Sequence, residues 1–106
     1  MRLRFSKAAR EDLRSIYLES EVMFGRKQAD TYALGLAAVF RLIADYPLSS
    51  RLRHELRWPV RARPWRSHVV LYAVDEAGVL VLRVRHGHED WQSDLPTPSE
   101  TRGEDQ

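Results

Sequence analysis

The chain of 106 residues contains no cysteine and only two lysines. Without cysteine it can form no disulfide, no thiolate metal site and no thiol nucleophile, which excludes several enzyme classes. It also has no run of eighteen apolar residues, so no membrane span is expected. The first residues, MRLRFSKAARED, have no apolar stretch typical of a signal peptide. These absences predict a cytoplasmic protein.

Fifteen arginines accompany the two lysines, and they are unevenly distributed. Residues 51–85 carry eight arginines against three carboxylates, and Trp58, Trp65 and Trp91 lie within or beside this segment. Arginine interleaved with aromatic residues suits an interface with nucleic acid or with an acidic protein surface. Solvated charge on a small sheet, with tryptophans covering the edges of the core, explains the same composition equally well.

Hydrophobic periodicity predicts a short strand over 2–5, a helix over 7–24 and a second helix over 26–46. Ser6 stands at the N-cap of the first helix, and Gly25 ends it. The apolar stripe of the first helix, which includes Phe24, is expected to be buried. Two helices joined by so short a turn must form an antiparallel hairpin, and small residues on the second helix, including Gly35, would permit close approach.

The rest of the chain is richer in strand signals. Residues 47–57 form a polar connection, and strands follow at about 57–61 and 66–74, the second starting after Pro64. A turn over 75–78 leads into the last strand. The order β-α-α-β-β-β predicts an α+β fold in which the helical hairpin packs on one face of a small, mostly antiparallel sheet and leaves the other face open. We expect one domain over 1–95 and a disordered tail over 96–106.

The last strand is read from VLVLRVRHGHEDW, residues 79–91. Regular alternation places Val79, Val81, Arg83 and Arg85 on one face and the even-numbered residues on the other. By this parity His86 points toward the core, where a buried, hydrogen-bonded imidazole is favoured over a general base.

The residues around this strand also permit a catalytic hypothesis. His86, His88 and Glu89 could move protons, and Arg83 and Arg66 could stabilise a charged transition state, which is the inventory of a metal-independent ribonuclease. His86 and His88 would need a further ligand from elsewhere to bind a metal ion. The sequence therefore predicts neither a metal nor a cofactor.

Four stretches, RLRFSKAAREDLRSIYLES, FGRKQADTYALGLAAVFRLIADYPL, RPWRSHVVLYAV and VLVLRVRHGHEDW, occur in this order. Together they resemble the ParE branch of the RelE/ParE superfamily of toxins from bacterial type II toxin–antitoxin systems. The resemblance spans residues 3–91. The positions that carry it are Phe5, Ala9, Asp12, Leu13, Gly25, Ala29, Arg66, His68, Tyr72, Arg83, His86, Gly87 and Asp90.

The resemblance implies a toxin that inhibits DNA gyrase and so DNA replication, and that a ParD-like antitoxin neutralises in a hetero-oligomer. Such a toxin would not be an enzyme. The RelE branch instead consists of ribosome-dependent endoribonucleases that cut mRNA, and the absence here of the usual C-terminal tyrosine disfavours that alternative. The residues expected to contact a partner are Arg61, Arg63, Trp65, Arg66, Arg83, Arg85 and Trp91.

Overall fold

The strands and helices follow the predicted order, with additions at both ends of the sheet. The computed structural model describes residues 1–53 and 59–87 and the backbone of 104–105. The elements are β1 (Leu3–Phe5), α1 (Lys7–Phe24), α2 (Arg26–Asp45), β2 (Arg51–Arg53), β3 (Val60–Trp65), β4 (His68–Asp75), β5 (Gly78–His86) and β6 (Glu104–Asp105). The sheet order is β2-β3-β4-β5-β1-β6. β1 runs parallel to β5 and the other pairs are antiparallel, which confirms the predicted α+β fold.

Local signals define the helical hairpin. The amide of Ala9 donates to the Ser6 hydroxyl over 3.0 Å, so Ser6 is the N-cap of α1 as predicted. Gly25 ends α1 and precedes α2 with φ of +89°, a conformation that favours glycine. The boundaries of α1 are confirmed, and α2 ends one residue before the predicted Tyr46.

Two strand predictions were wrong. The connection predicted over 47–57 contains β2, whose Leu52 pairs with Arg61. β3 runs through Pro64 to Trp65 instead of ending before it, and Pro64 pairs with Val69. Because β2 pairs only with 60–62, the outer edge of β3 has no β2 partner at Pro64. A proline without an N–H is tolerated there.

The predicted alternation along the last strand fails at a β-bulge. Tyr72 pairs with Val81 but Leu71 pairs with Arg83, so Leu82 is an extra residue in β5. Beyond the bulge the parity reverses, and Val84 joins Val81 in the cluster beneath the helices. The expectation that Val81 and Arg83 share one face is therefore wrong.

Buried residues form two clusters, one on each face of the sheet. The cluster toward the helices contains Ala9, Leu36, Val39, Phe40, Ile43, Val70, Tyr72, Val79, Val81 and Val84. The cluster on the other face contains Val60, Ala62, Val69, Leu71, Leu80 and Leu82. Leu71 and Val60 are completely inaccessible to solvent. The centre of the second face is therefore covered, and the prediction of an open face was wrong there.

The tail predicted over 96–106 lies largely outside the described residues. Within it, Glu104–Asp105 pairs antiparallel with β1, Phe5 lying opposite Glu104. β1 is consequently flanked by strands on both sides.

Candidate functional site

The edge of β5 beyond β1 is closed by α1. β1 pairs with β5 as far as Val81, and Ser6 then continues the contact. Its amide donates to the Val81 carbonyl over 3.0 Å and its hydroxyl donates to the Leu82 carbonyl over 2.7 Å. Six residues later the Asp12 carboxylate accepts from the Val84 amide over 3.0 Å. Backbone groups that would otherwise lie at an open sheet edge are thereby satisfied.

The same carboxylate binds Arg83 in a two-bond ion pair. Nε of Arg83 lies 2.7 Å from Oδ2 of Asp12 and Nη2 lies 2.9 Å from Oδ1. The two side chains are 16% and 12% exposed. Nη1 of Arg85 is a further 3.9 Å from Oδ1. Arg83, which we expected to contact a partner, thus connects β5 to α1, and a planar guanidinium suits this geometry better than lysine would.

A cavity of about 310 Å³ lies between the end of the helical hairpin and the turn joining β3 to β4. We call it the imidazole pocket. Its walls combine apolar side chains from the helices with polar groups from the sheet. They are Ile16, Glu19, Ser20, Met23, Phe24, Gln28, Tyr32, Ser67, His68 and His86.

Two histidines form one wall of this pocket. His68 and His86 pair across β4 and β5, and their rings lie 4.4 Å apart at 36°. His68 is 8% exposed, and its Nδ1 lies 2.6 Å from the Tyr32 hydroxyl. His86 is exposed, so the expectation of a buried His86 is wrong. His68 is the buried imidazole because Tyr32 covers it from α2, whereas His86 ends its strand.

Tyr32 is held in its neutral form. Burial raises the pKa of the Tyr32 hydroxyl above its ordinary value, although a backbone hydrogen bond with Ser67 and the charge of Arg66 both oppose that rise. The pocket therefore contains a neutral hydroxyl that is hydrogen-bonded to the buried His68 imidazole.

Trp65 belongs to the framework of the site. Its ring lies 4.8 Å from that of Tyr32 and fills the space that a side chain at position 35 would occupy. A Cβ on Gly35 would lie 2.5 Å from Cζ2 of Trp65. Because Gly35 has no side chain, a tryptophan from the sheet can pack at this position. The sequence prediction had assigned Gly35 only to the close approach of the two helices.

Arg66 adopts an unfavourable backbone conformation. It is the first residue of the two-residue turn between β3 and β4, and it has φ of +52°. A residue with a Cβ pays roughly 1–2 kcal/mol for the left-handed conformation, which glycine adopts readily. The exposed side chain lies with its guanidinium carbon 5.1 Å from the centre of the Trp65 ring.

The predicted arginines do not form one surface. Arg61 and Arg63 lie opposite Tyr72 and Val70 of the helix-side cluster. Arg61 donates to the Ser50 carbonyl over 2.8 Å and so anchors the connection after α2. Arg83 and Arg85, beyond the bulge, lie opposite residues of the other cluster. The predicted residues Trp91, His88 and Glu89 lie outside the described part of the chain.

The end of the helical hairpin exposes a group of apolar side chains, which we call the tip patch. It consists of Leu18, Val22, Met23 and Phe24. Val22 is 85% and Phe24 is 65% exposed, so the prediction of a buried Phe24 was wrong. Leu18 and Val22 lie one helical turn apart and Met23 and Phe24 line the imidazole pocket, so exposed apolar side chains surround this end of α1.

Neighbouring cavities extend the imidazole pocket. An apolar cavity of about 280 Å³ between α1 and α2 shares Ile16, Ser20 and Tyr32 with it.

Within residues 1–53 and 59–87, no three histidines or carboxylates are grouped to hold a metal ion. No helix in this described part is long and apolar enough to cross a membrane. The arrangement suits the binding of a macromolecular partner.

Comparison with known proteins agrees with this fold. The family model described as the ParE toxin of type II toxin–antitoxin systems, parDE, matches residues 3–91. The chain belongs to the ParE toxin family. The toxin ParE1 of Caulobacter vibrioides is 37% identical over 83 residues, which are 78% of this chain and 85% of that relative. A solved chain titled "Chromosomal ParDE TA system from P. aeruginosa" superposes with a TM-score of 0.71 at 19% identity. The superposition covers 81% of this chain and 95% of the solved chain.

Several positions that carry the ParE resemblance now have physical roles. Asp12 and Arg83 close the edge of β5, and Tyr72 is fully buried with its hydroxyl donating to the Pro47 carbonyl over 2.8 Å. The amide of Gly87 donates to the Ser67 carbonyl over 3.0 Å. In the sequence, Tyr32 has the helical spacing of a core residue of α2. No sequence signal linked it to His68, because the contact depends on how the hairpin crosses the sheet.

Proposed function

We propose that this ParE-family toxin inhibits DNA gyrase, arrests DNA replication and growth in the cytoplasm, and is neutralised by a ParD-like antitoxin bound in a hetero-oligomer. It acts by binding and performs no chemical reaction. The observation that carries this proposal is the family match across residues 3–91, which includes every described element from β1 to β5.

The surface of the protein supports a binding role. The tip patch and the imidazole pocket adjoin, because Met23 and Phe24 belong to both. Exposed apolar side chains beside polar and cationic groups are typical of protein interfaces. A partner that covers this surface would remove apolar area from water, which is the general driving force of such association.

Purified gyrase provides the decisive test. Supercoiling of relaxed plasmid is measured with increasing amounts of the protein, alone and after premixing with its antitoxin. We expect loss of supercoiling and accumulation of cleaved DNA with the free protein, and normal supercoiling with the premixed complex. Unchanged supercoiling at a large molar excess of folded protein, without binding to gyrase, would contradict the proposed target.

One observation favours a second candidate, a RelE-like ribosome-dependent mRNA endoribonuclease. Exposed His86 stacks on His68 at a pocket that also holds the Tyr32 hydroxyl, and Arg66 lies close enough to influence the Tyr32 pKa. Transcripts are sequenced after a brief pulse of expression, with wild type and with His86 and His88 both replaced by alanine. Cleavage by wild type that disappears in the double variant would establish this activity. Intact transcripts during growth arrest would exclude it.

A further inference from the structure

The turn between β3 and β4 retains an arginine where the backbone favours glycine. Arg66 has φ of +52° and an exposed side chain. Strained residues of this kind persist where the surrounding structure enforces them, and they concentrate at functional sites. The side chain makes a cation–π contact with Trp65, which places it without burying it. An exposed arginine in an unfavourable conformation points to a role in contacting something outside the chain.

Packed aromatic residues support the Arg66 side chain. Its guanidinium lies against Trp65, which packs on Tyr32 and occupies the space left by Gly35. A guanidinium stacked on an aromatic face keeps its N–H groups available at its rim, where they can bind a carboxylate through two hydrogen bonds. Arg66 is therefore preorganised to receive an anion, which reduces the loss of side-chain freedom on binding.

The neighbouring surface indicates what carries the anion. The imidazole pocket begins at Ser67, the residue after Arg66, and its far wall is formed by Ile16, Met23 and Phe24. A cavity of about 310 Å³ with these apolar side chains on one wall, beside an exposed cation, matches a peptide with an apolar side chain and a carboxylate. Phosphates of nucleic acid would use the cation but would leave the apolar wall and the tip patch uncovered.

We propose that the imidazole pocket and Arg66 form one docking site for the antitoxin, which inserts an apolar side chain into the pocket and pairs a nearby carboxylate with Arg66. This inference rests on the antitoxin partner of the proposed function and adds the chemistry of the segment that binds. The charges at this end of the molecule fit an acidic segment. Arg26 and Lys27 are exposed at the start of α2, and Glu21 is paired with Arg26 over 3.2 Å. Glu19 lines the α1 wall of the pocket. Its negative charge repels a carboxylate of the antitoxin there, which favours the Arg66 side.

The variant Arg66→Gly separates binding from stability. Glycine accepts the positive φ without strain, so the variant is expected to fold with a Tm within a few degrees of wild type. Its affinity for the antitoxin encoded beside the toxin gene should fall about tenfold or more, because a charge-assisted hydrogen bond is lost. Isothermal titration calorimetry of the two purified proteins measures this change. Arg41→Ala, which removes an exposed arginine of α2, is the matched control and should bind like wild type; alanine is used there because glycine would lower helix stability by about 1 kcal/mol.

A double-mutant cycle identifies the paired carboxylate. Each Asp and Glu of the antitoxin's toxin-binding segment is replaced by its amide and titrated against wild type and Arg66→Gly. One replacement should weaken binding to wild type and have no further effect on Arg66→Gly. In parallel, Phe24→Ser, at an exposed position, should weaken binding about fivefold or more by removing part of the apolar wall.

The outcomes are distinguishable. If wild type does not bind the antitoxin, the proposed toxin–antitoxin pairing fails. If wild type binds and Arg66→Gly binds equally well, the pairing stands and the docking site is wrong. A large fall in Tm with unchanged affinity would assign Arg66 a structural role and also overturn the inference. Loss of binding to a short DNA duplex, with antitoxin affinity preserved, would assign Arg66 to phosphate recognition instead.

Discussion

Replacing Asp12 by alanine is expected to destabilise the protein more than any exposed substitution on the same helix. The change removes both hydrogen bonds to Arg83 and the acceptor of the Val84 amide. Breaking one partner of a buried ion pair costs about 3–5 kcal/mol. Because the pair retains 12–16% exposure, water recovers part of this, and we expect the free energy of unfolding to fall by about 2–4 kcal/mol.

For a domain of this size, such a loss lowers the Tm by about 10–25 °C. Urea denaturation followed by circular dichroism measures the free energy, and calorimetry measures the Tm. Asp12→Asn retains an oxygen that can accept from the Val84 amide, so it should lose less, about 1–2 kcal/mol. The adjacent Glu11→Ala removes an exposed carboxylate and should change stability by no more than about 0.5 kcal/mol. Coincident unfolding midpoints for Asp12→Ala and Glu11→Ala would refute the assigned role of the ion pair.

Two further substitutions test the packing and the electrostatics of the fold. Gly35→Ala should lower the Tm, because the clash with Trp65, about 1–3 kcal/mol, outweighs the helix-propensity gain of about 1 kcal/mol; a raised Tm would contradict the close contact. Asp75 is paired with Arg4 over 2.9 Å, and although burial acts to raise its pKa, the Arg4 hydrogen bond and the Ala77 amide lower it overall. Its stabilisation is therefore present above the unfolded pKa of about 4 and is lost as pH falls through the lower folded value. Asp75→Asn should be slightly less stable than wild type at pH 7, by under about 1 kcal/mol, and the difference in urea midpoint should vanish in strong acid; a constant difference would count against the ion pair.

The helices were predictable because their signals are local. Ser6 caps the helix that directly follows it, and Gly25 adopts its conformation between two adjacent helices. The order of strands also followed from sequence, since turn residues and apolar runs alternate along the second half of the chain. These features need no knowledge of which elements meet in space.

The bulge in β5 could not be predicted in this way. Leu82 is the last residue of an apolar run, and no glycine or proline beside it signals a bulge. Its extra position depends on the pairing of β4 with β5. The single missed residue reversed the assignment of every side chain after it, including Arg83. The same dependence on pairing explains Pro64, whose place in β3 is tolerated only because β2 is short.

The candidate site was partly predictable. Arg66 and His86 were named from the sequence, but their environments were not. The burial of the His68 imidazole depends on Tyr32, which lies thirty-six positions earlier in the chain. The strain at Arg66 depends on the two-residue turn between β3 and β4. Sequence pattern identified residues with useful chemistry, whereas their exposure and partners came from contacts between distant elements.

The position of β1 has a consequence for how the protein forms. Leu3–Phe5 pairs in parallel with Val79–Val81, so this strand finds its neighbour only after the helical hairpin and the strands up to β5 have been synthesised. Contacts of such sequence separation slow folding, because a long loop must close before they are gained. The helical hairpin can form before β5 has been synthesised, but the edge of β5 that Ser6 and Asp12 close needs residues up to Val84. A binding partner that recognises this finished edge can therefore bind only after those residues have been made.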